Sequence, residues 1–174
     1  MRSRLRRASG HAAFIALGWV LLLGALYWFF AAWSEREANP NRTIVVSADG
    51  DMVLQRARNG HYYADGEING RRVRMLLDTG ATQIALSQKL ALELGLALGP
   101  AITLQTAAGP ATGYPTRLDR VRLGPIEMRN LGAVVSEKMG DDAVLLGMNF
   151  LKHMALVQQG DQLTIKPPQR AGAP

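Results

Sequence analysis

Apolar residues are arranged in two ways along the chain: one long unbroken stretch, and then many short alternating segments. The stretch at residues 12–33 (AAFIALGWVLLLGALYWFFAAW) holds no charged side chain over 22 positions. A helix rises 1.5 Å per residue, so this length crosses the ~30 Å hydrocarbon core of a bilayer. Aromatic rings, which favour the membrane interface, crowd its C-terminal end at Trp28, Phe29, Phe30 and Trp33. The pattern predicts a transmembrane helix.

Charges flank this stretch asymmetrically. Four arginines lie within the first seven residues, and Glu35 and Glu37 follow the stretch. The positive-inside rule therefore predicts a cytoplasmic N-terminus, with everything after Trp33 on the other side of the membrane. A cleaved signal peptide would have a shorter apolar region of ~7–15 residues, with small residues before the cleavage site. A buried core helix would be polar on at least one face. We therefore predict an uncleaved anchor.

After residue 42 the period of the pattern shortens to that of β-strands. Predicted strands cover residues 43–47, 52–56, 62–68, 71–77, 102–106, 114–123, 126–135, 144–146 and 162–165. Asp49-Gly50 and Asn69-Gly70 stand between neighbouring strands and are hairpin signals. Helix is scarce: residues 87–94, with Ser87 as N-cap and Gly95 as the stop, and a short segment at 148–154. The fold class predicted is all-β, a small closed β-barrel or sandwich-like fold with one or two short helices.

The domain organisation follows from these segments. Residues 1–11 are predicted as a basic cytoplasmic tail, 12–33 as the transmembrane anchor, and 34–42 as a polar linker. One folded domain is predicted for residues 43–167, followed by a flexible tail at 168–174 that is rich in proline, glycine and alanine.

Composition narrows the classes of function. The chain of 174 residues contains no cysteine, which excludes disulfides, cysteine-ligated zinc and a thiol nucleophile. Its formal net charge is +6, and the four N-terminal arginines supply +4 of it. Because residues 34–174 carry 16 basic and 14 acidic side chains, the folded domain is nearly neutral. The charge therefore indicates a short basic tail, and no nucleic-acid partner is predicted.

The strongest candidate for chemistry is Asp78, which follows the apolar strand at 73–77 directly and precedes Thr79-Gly80. A single carboxylate cannot deprotonate a water molecule and protonate a substrate oxygen at the same time. Peptide hydrolysis by carboxylates needs a pair that shares a proton, because like charges ~3 Å apart cannot both ionise. No other aspartate repeats this pattern, so the second carboxylate is predicted to come from another copy of the chain in a two-fold dimer.

Other chemistries fit the residues less well. A haloacid-type phosphatase would need a second aspartate at the position of Gly80. The histidines His11, His61 and His153 lack metal-ligand spacing, so no metal site is predicted. Serine hydrolase chemistry lacks a Gly-x-Ser-x-Gly elbow. The basic run at residues 71–74 is predicted to be a solvated strand face rather than a phosphate site.

Residues 76–82 (LLDTGAT) resemble the active-site motif of retropepsin-like aspartic proteases. A second signature of that family, two apolar residues and a glycine, is matched by Leu145-Leu146-Gly147, which lies 69 positions after Asp78. The hairpin at 102–123 looks like the family's flap, with its tip near residues 107–111. The resemblance covers nearly all of residues 43–167. One membrane helix before this domain is similar to the bacterial membrane-anchored members of the clan.

The resemblance implies a role for each matched residue. Asp78 would be half of the catalytic dyad, Thr79 would hydrogen-bond across the dimer, and Gly80 would let the opposing loop come near. The remaining implied residues are Ala81 and Thr82 in the active-site loop, Ala107, Ala108 and Gly109 in the flap, and Leu145, Leu146 and Gly147 packed beneath the site.

The function predicted is a membrane-anchored, homodimeric aspartic endopeptidase on the non-cytoplasmic side of a bacterial inner membrane. It would act on polypeptides and need no metal or organic cofactor, because its nucleophile is water. The alternative is a catalytically inactive module of the same fold that holds an extended peptide by strand addition.

Overall fold

The computed structural model describes residues 5–140 and 143–167, and contacts divide the chain into two units, Met1–Ala38 and Asn39–Pro174. Residues 1–4 of the predicted basic tail and the predicted tail at 168–174 lie outside the described residues. Within the described residues, the elements in chain order are α1 Leu5–Ala38, β1 Val45–Val46, β2 Met52–Gln55, β3 Tyr62–Ile68, β4 Arg71–Leu77, β5 Ile84–Ser87, α2 Gln88–Glu93, β6 Ile102–Thr106, β7 Gly109–Leu123, β8 Ile126–Ser136, β9 Val144–Leu146, α3 Met148–Leu151, β10 Ala155–Gln159 and β11 Gln162–Lys166.

The first unit is the helix α1. Its segment Ala13–Ser34 is strongly apolar, and none of its residues is buried within the structure. Length and apolarity are those of a membrane anchor or a signal sequence. The helix runs further than the predicted anchor because residues 34–38 (SEREA) are mostly good helix formers. It ends at Ala38 because a residue before proline, here Asn39 before Pro40, disfavours helical geometry.

The second unit begins inside the predicted linker. Asn41 is buried, and its side-chain amide donates to the carbonyl oxygens of Gln55 at 2.8 Å and Tyr63 at 2.7 Å. The Asn41 Oδ1 accepts from the Gln55 amide at 2.7 Å. Asn39, also buried, donates to the Asp65 carboxylate at 2.6 Å. Residues 39–41 are therefore held against β2 and β3 and belong to the folded unit, which differs from their prediction as linker.

Two sheets make up the second unit. The smaller has the order β1-β2-β11-β10, with every pairing antiparallel. The larger has seven strands in the order β3-β4-β9-β5-β8-β7-β6, and its parallel pairs are β4–β9 and β5–β8. A further pairing of β3 with β7 brings two distant strands of the larger sheet together and curls it into a barrel.

The all-β class is confirmed, and the closed barrel is confirmed only in broad form. The β3–β7 seam holds two paired positions, and β5 pairs with β9 at a single position, Ala85 opposite Leu145. Inward-facing apolar residues on alternate positions fill the interior, as on β3, where buried and less buried residues alternate along the strand. The largest fully buried side chain is Phe150 on α3.

Most predicted elements occur where the pattern placed them. The strands at 62–68, 71–77, 102–106 and 144–146 match their predicted bounds. Asn69 and Gly70 both have positive φ, 50° and 85°, as the two-residue hairpin turn requires. Helix α2 is capped by Ser87, whose Oγ accepts from the Leu90 amide at 3.2 Å. The predicted second helix is shorter and ends at Leu151.

Candidate active site

Asp78 follows the last residue of β4. Leu77 is in parallel register with Leu146 on β9, and the Asp78 amide donates to the Leu146 carbonyl at 3.2 Å. The side chain is half-buried, and its Oδ1 accepts from the Gly80 amide at 2.8 Å. The Ala81 amide closes the turn by donating to the Asp78 carbonyl at 3.3 Å. The carboxylate is therefore oriented by the turn that it begins, at the end of a strand in the barrel.

The loop of residues 78–82, called the Asp78 loop below, lies at the surface of the single chain. Thr79, Gly80 and Thr82 are exposed, and Ala81 is half-buried. Its main-chain bonds to the rest of the fold go to Leu146, Met148 and Asn149. The hydrogen bond of the Asp78 carboxylate to the Gly80 amide is exposed.

The second signature lies directly beneath this loop. A Cβ atom on Gly147 would stand 2.5 Å from the Gln83 carbonyl oxygen and 2.8 Å from that of Ala81. Real Cβ atoms do not approach backbone so closely, so only glycine fits here. Main-chain bonds complete the junction: the Met148 amide donates to the Ala81 carbonyl at 2.8 Å, and the Asn149 amide donates to the Thr82 carbonyl at 3.1 Å.

The structure thus joins two predicted groups of residues that are far apart in sequence. Leu146, which the sequence predicts to pack under the site, is fully buried. Leu145 is half-buried, and its backbone lies in register between Leu76 on β4 and Ala85 on β5.

Asn149 is a positioning residue that the sequence reasoning did not single out. Its Oδ1 accepts from the Ile84 amide at 3.1 Å, and its Nδ2 donates to the Gly132 carbonyl at 2.7 Å. The side chain therefore links β5 and β8 just after the Asp78 loop. A signal was present, because an asparagine inside the apolar run at 144–151 requires hydrogen-bond partners.

The predicted flap is a hairpin formed by β6 and β7. Thr106 pairs with Gly109, so Ala107 and Ala108 alone form the tip, and both are exposed. The predicted tip at 107–111 is too wide, because Pro110 is already paired in the strand. The turn closes through the Thr106 hydroxyl, which donates to the Gly109 carbonyl at 2.6 Å.

Side-chain bonds hold the flap to the segment that follows β8. The Lys138 ammonium donates to the Pro110 carbonyl at 2.9 Å, and the Tyr114 hydroxyl donates to the Glu137 carboxylate at 2.7 Å. The bond to Glu137 raises the pKa of Tyr114 above its ordinary value of 10.0. In the part of the chain that the structure describes, no hydrogen bond joins the flap tip to the Asp78 loop.

Among residues 5–140 and 143–167, no group of three histidine, aspartate or glutamate side chains is arranged to hold a metal ion.

The part of the chain that contains these residues matches a known protein family. A family model described as "gag-polyprotein putative aspartyl protease" matches residues 64–153, a span that contains the Asp78 loop, the flap hairpin and residues 145–147. An uncharacterized protein in the cobV 5′ region of Sinorhizobium sp. is 38% identical over 130 residues, which cover 71% of this chain and 56% of that protein.

Two rickettsial proteins are also similar. The uncharacterized protein RP867 of Rickettsia prowazekii (strain Madrid E) is 33% identical over 107 residues, covering 59% of this chain and 45% of that protein. The chain thus spans about half the length of the curated relatives that it matches. The crystal structure of a retropepsin-like aspartic protease from Rickettsia conorii matches with a TM-score of 0.55 and 30% identity, over 68% of this chain and 90% of that one.

Proposed function

We propose, from the premise that this chain belongs to the retropepsin-like aspartic proteases, that it is an endopeptidase whose dyad is Asp78 from each of two copies. The observation that supports this proposal is the contact between the Asp78 loop and residues 147–149. The Asp78 loop is seated on Gly147 by main-chain hydrogen bonds, with the Asp78 carboxylate accessible at the surface. A second copy related by two-fold symmetry can bring its own Asp78 to the same place.

The proposed chemistry uses the two carboxylates in opposite states. The ionised carboxylate takes a proton from water, and the water oxygen attacks the peptide carbonyl carbon. The protonated carboxyl gives its proton to the carbonyl oxygen, which forms a tetrahedral intermediate. Proton transfer to the nitrogen then lets the carbon–nitrogen bond break. The two carboxyls share one proton because two like charges in contact cannot both ionise.

The surrounding residues are proposed to support this step. The exposed Thr79 hydroxyl would hydrogen-bond to the opposing loop of the dimer, and Gly80 would leave room for that loop. The tip residues Ala107 and Ala108, with Gly109, would close over a polypeptide substrate and exclude water from the reaction.

In this proposal α1 anchors both copies in a bacterial inner membrane, with the N-terminus in the cytoplasm and the folded unit on the other side. The asymmetric charges around the apolar stretch support this orientation. Confining two copies to one membrane raises their effective concentration and favours pairing.

The test is cleavage of an unfolded protein by the full chain in detergent micelles. Reduced and alkylated lysozyme at acidic pH is the substrate, and Asp78→Asn is the variant, since it keeps the side-chain shape and removes the acid. We expect a loss of at least about 10³-fold in kcat/KM. Asp119→Asn is the matched control, because Asp119 is an exposed aspartate on β7, and it should cleave as the parent does.

Undiminished cleavage by the Asp78→Asn chain would contradict the proposal. Binding of the unfolded substrate without any cleavage by the parent chain would instead support the alternative predicted from sequence, the inactive peptide-binding module.

A further inference from the structure

A cavity of about 290 Å³ lies at the edge of the larger sheet, outside the candidate active site. It is lined by the first half of β4, by one side of α2 with the preceding Ser87, and by Ala143 and Val144. The parallel pairing of β4 with β9 begins only at Met75 opposite Val144. The part of β4 before Met75 therefore has no β9 neighbour, and the cavity lies against it.

The lining of this cavity is strongly basic. Among its described residues are four cations, Arg71, Arg72, Arg74 and Lys89, and one acid, Glu93. Glu93 forms an ion pair with Arg71, so its charge is compensated by one of the four cations. Lys89 has an interaction of its own, so the cations of the described lining that are left for a ligand are Arg72 and Arg74. The sequence pattern predicted a solvated strand face for this run, but the adjacent α2 turns that face into the wall of a cavity.

Arg72 and Arg74 are the residues of the lining that matter most for binding a ligand. In the described residues, neither guanidinium makes a hydrogen bond or an ion pair. The acids opposite them in the β3–β4 register are Glu67 and Asp65, and both carboxylates bind elsewhere. Asp65 accepts from Asn39 at 2.6 Å, and Glu67 pairs with an arginine on β7. Arg74 is half-buried and Arg72 is exposed, so both side chains are accessible to a ligand in the cavity.

We propose that this cavity binds a phosphate group. The planar guanidinium fork matches phosphate oxygens bidentately, and phosphate carries close to two charges at neutral pH, which suits several cations better than a single carboxylate would. The Ser87 hydroxyl also lines the cavity and is a potential donor to such a ligand. The volume is near the lower limit of small-molecule sites, so it suits free phosphate or the phosphate end of a small molecule or lipid.

Binding of phosphate would also stabilise the fold. The phosphate would connect β4, which leads into Asp78, with α2, which follows β5. A ligand that binds only the native state raises the free energy of unfolding, so the midpoint of thermal unfolding is a direct readout.

The experiment titrates inorganic phosphate into the full chain in detergent micelles at constant ionic strength, with chloride as the balancing anion. Calorimetry should show saturable binding, and the unfolding midpoint should rise by about 4 °C at ten times the dissociation constant. The variant R72Q/R74Q should lose both responses. The control R117Q/R129Q removes the same charge from β7 and β8 outside the cavity and should keep them.

Single variants keep the test valid if the double variant does not fold. R72Q and R74Q should each weaken phosphate binding by about tenfold, as expected for the loss of one charge-assisted hydrogen bond. Vesicles of phosphatidylcholine with and without phosphatidic acid separate the two sources of phosphate: stabilisation by phosphatidic acid alone would assign the cavity to a lipid headgroup.

Two results would overturn the proposal. One is an equal response to phosphate in the parent and R72Q/R74Q chains, which would mean a general salt effect. The other concerns Asp141 and Asp142, which precede Ala143 in sequence and lie outside the described residues. If the parent chain does not bind phosphate and only the D141N/D142N variant does, the arginines pair with the protein's own carboxylates and no ligand site exists.

Discussion

The Asp78 loop and the flap are held in place by different kinds of contact. The loop is joined to residues 147–149 by main-chain hydrogen bonds and by the direct contact of Gly147 with backbone, for which no other side chain has room. The main-chain pairing of β7 with β8 starts at Gly113. Beyond that pairing, the flap is joined to the segment after β8 by exposed side-chain bonds from Lys138 and Tyr114, together with one long main-chain bond at Thr112. Backbone contacts in a packed interior fix geometry, whereas exposed bonds exchange readily with water.

This difference matches the tasks that the two parts have in the proposed function. A catalytic carboxylate has to be held rigidly in the productive geometry. A flap has to open for an extended chain and then close over it. Substitutions in the two regions should therefore affect different quantities, stability and kcat in one region and substrate affinity in the other.

The largest effect is expected for Gly147→Ala. The new methyl group would meet the Gln83 carbonyl at 2.5 Å, so the loop or β9 has to move. We expect a loss of about 3 kcal/mol or more in the free energy of unfolding, measured by urea denaturation, together with loss of cleavage. Gly132→Ala is the control, because its Cβ would lie 3.8 Å from the nearest atom, the Gln83 Oε1. Equal stability of the two variants would contradict the close contact of Gly147 with the backbone of Ala81 and Gln83.

Asn149→Ala should have the next largest effect. It removes the acceptor for the Ile84 amide and the donor for the Gly132 carbonyl, leaving both groups short of a partner. We expect a loss of about 1–3 kcal/mol in the free energy of unfolding. Asn149→Asp keeps the acceptor and loses the donor, so its urea midpoint should fall between those of the parent and Asn149→Ala. A urea midpoint equal to the parent's in both variants would show that the hydrogen bonds of Asn149 do not stabilise the site.

Lys138→Met should affect the flap with little effect on stability. The variant loses the bond to the Pro110 carbonyl, so the flap should open more often. The expected result is a KM raised by about threefold, with the free energy of unfolding changed by less than about 0.5 kcal/mol. Lys152→Met, an exposed lysine at the end of α3, is the control and should leave KM unchanged. A change in kcat alone would contradict the assignment of Lys138 to substrate access.

The smallest effect is expected from the Tyr114–Glu137 bond, and it appears at high pH. Because this bond raises the pKa of Tyr114 above 10.0, the folded state favours the protonated phenol. Its contribution to stability is fully present below pH 10 and is lost as pH rises through the raised value. Ultraviolet titration should show that Tyr114→Phe removes a late-titrating tyrosine. Removal of one with an ordinary pKa would mean that the bond does not form in solution.

Much of the fold and the location of the candidate site could be predicted from sequence, because both depend on local patterns. The pattern of apolar and polar residues predicted the strands at 62–68 and 71–77, and Asn69-Gly70 predicted the turn between them. The two short strands β5 and β10 were missed, since neither Ile84–Ser87 (IALS) nor Ala155–Gln159 (ALVQQ) alternates regularly between apolar and polar residues. The sequence indicates that Asn149 needs hydrogen-bond partners, but it does not identify them, and the role of Lys138 has no signal at all. Each role depends on a partner that only the fold brings near.

The most direct test of the account is whether each active site needs Asp78 from two copies. Parent and Asp78→Asn chains are co-expressed in equal amounts in one membrane, so that pairing is random, and cleavage is compared with that of the same total amount of parent chain. If both carboxylates are required, activity falls to about one quarter, the fraction of pairs with two intact copies. Activity of about one half would mean that each chain works with its own Asp78, and it would contradict the shared dyad.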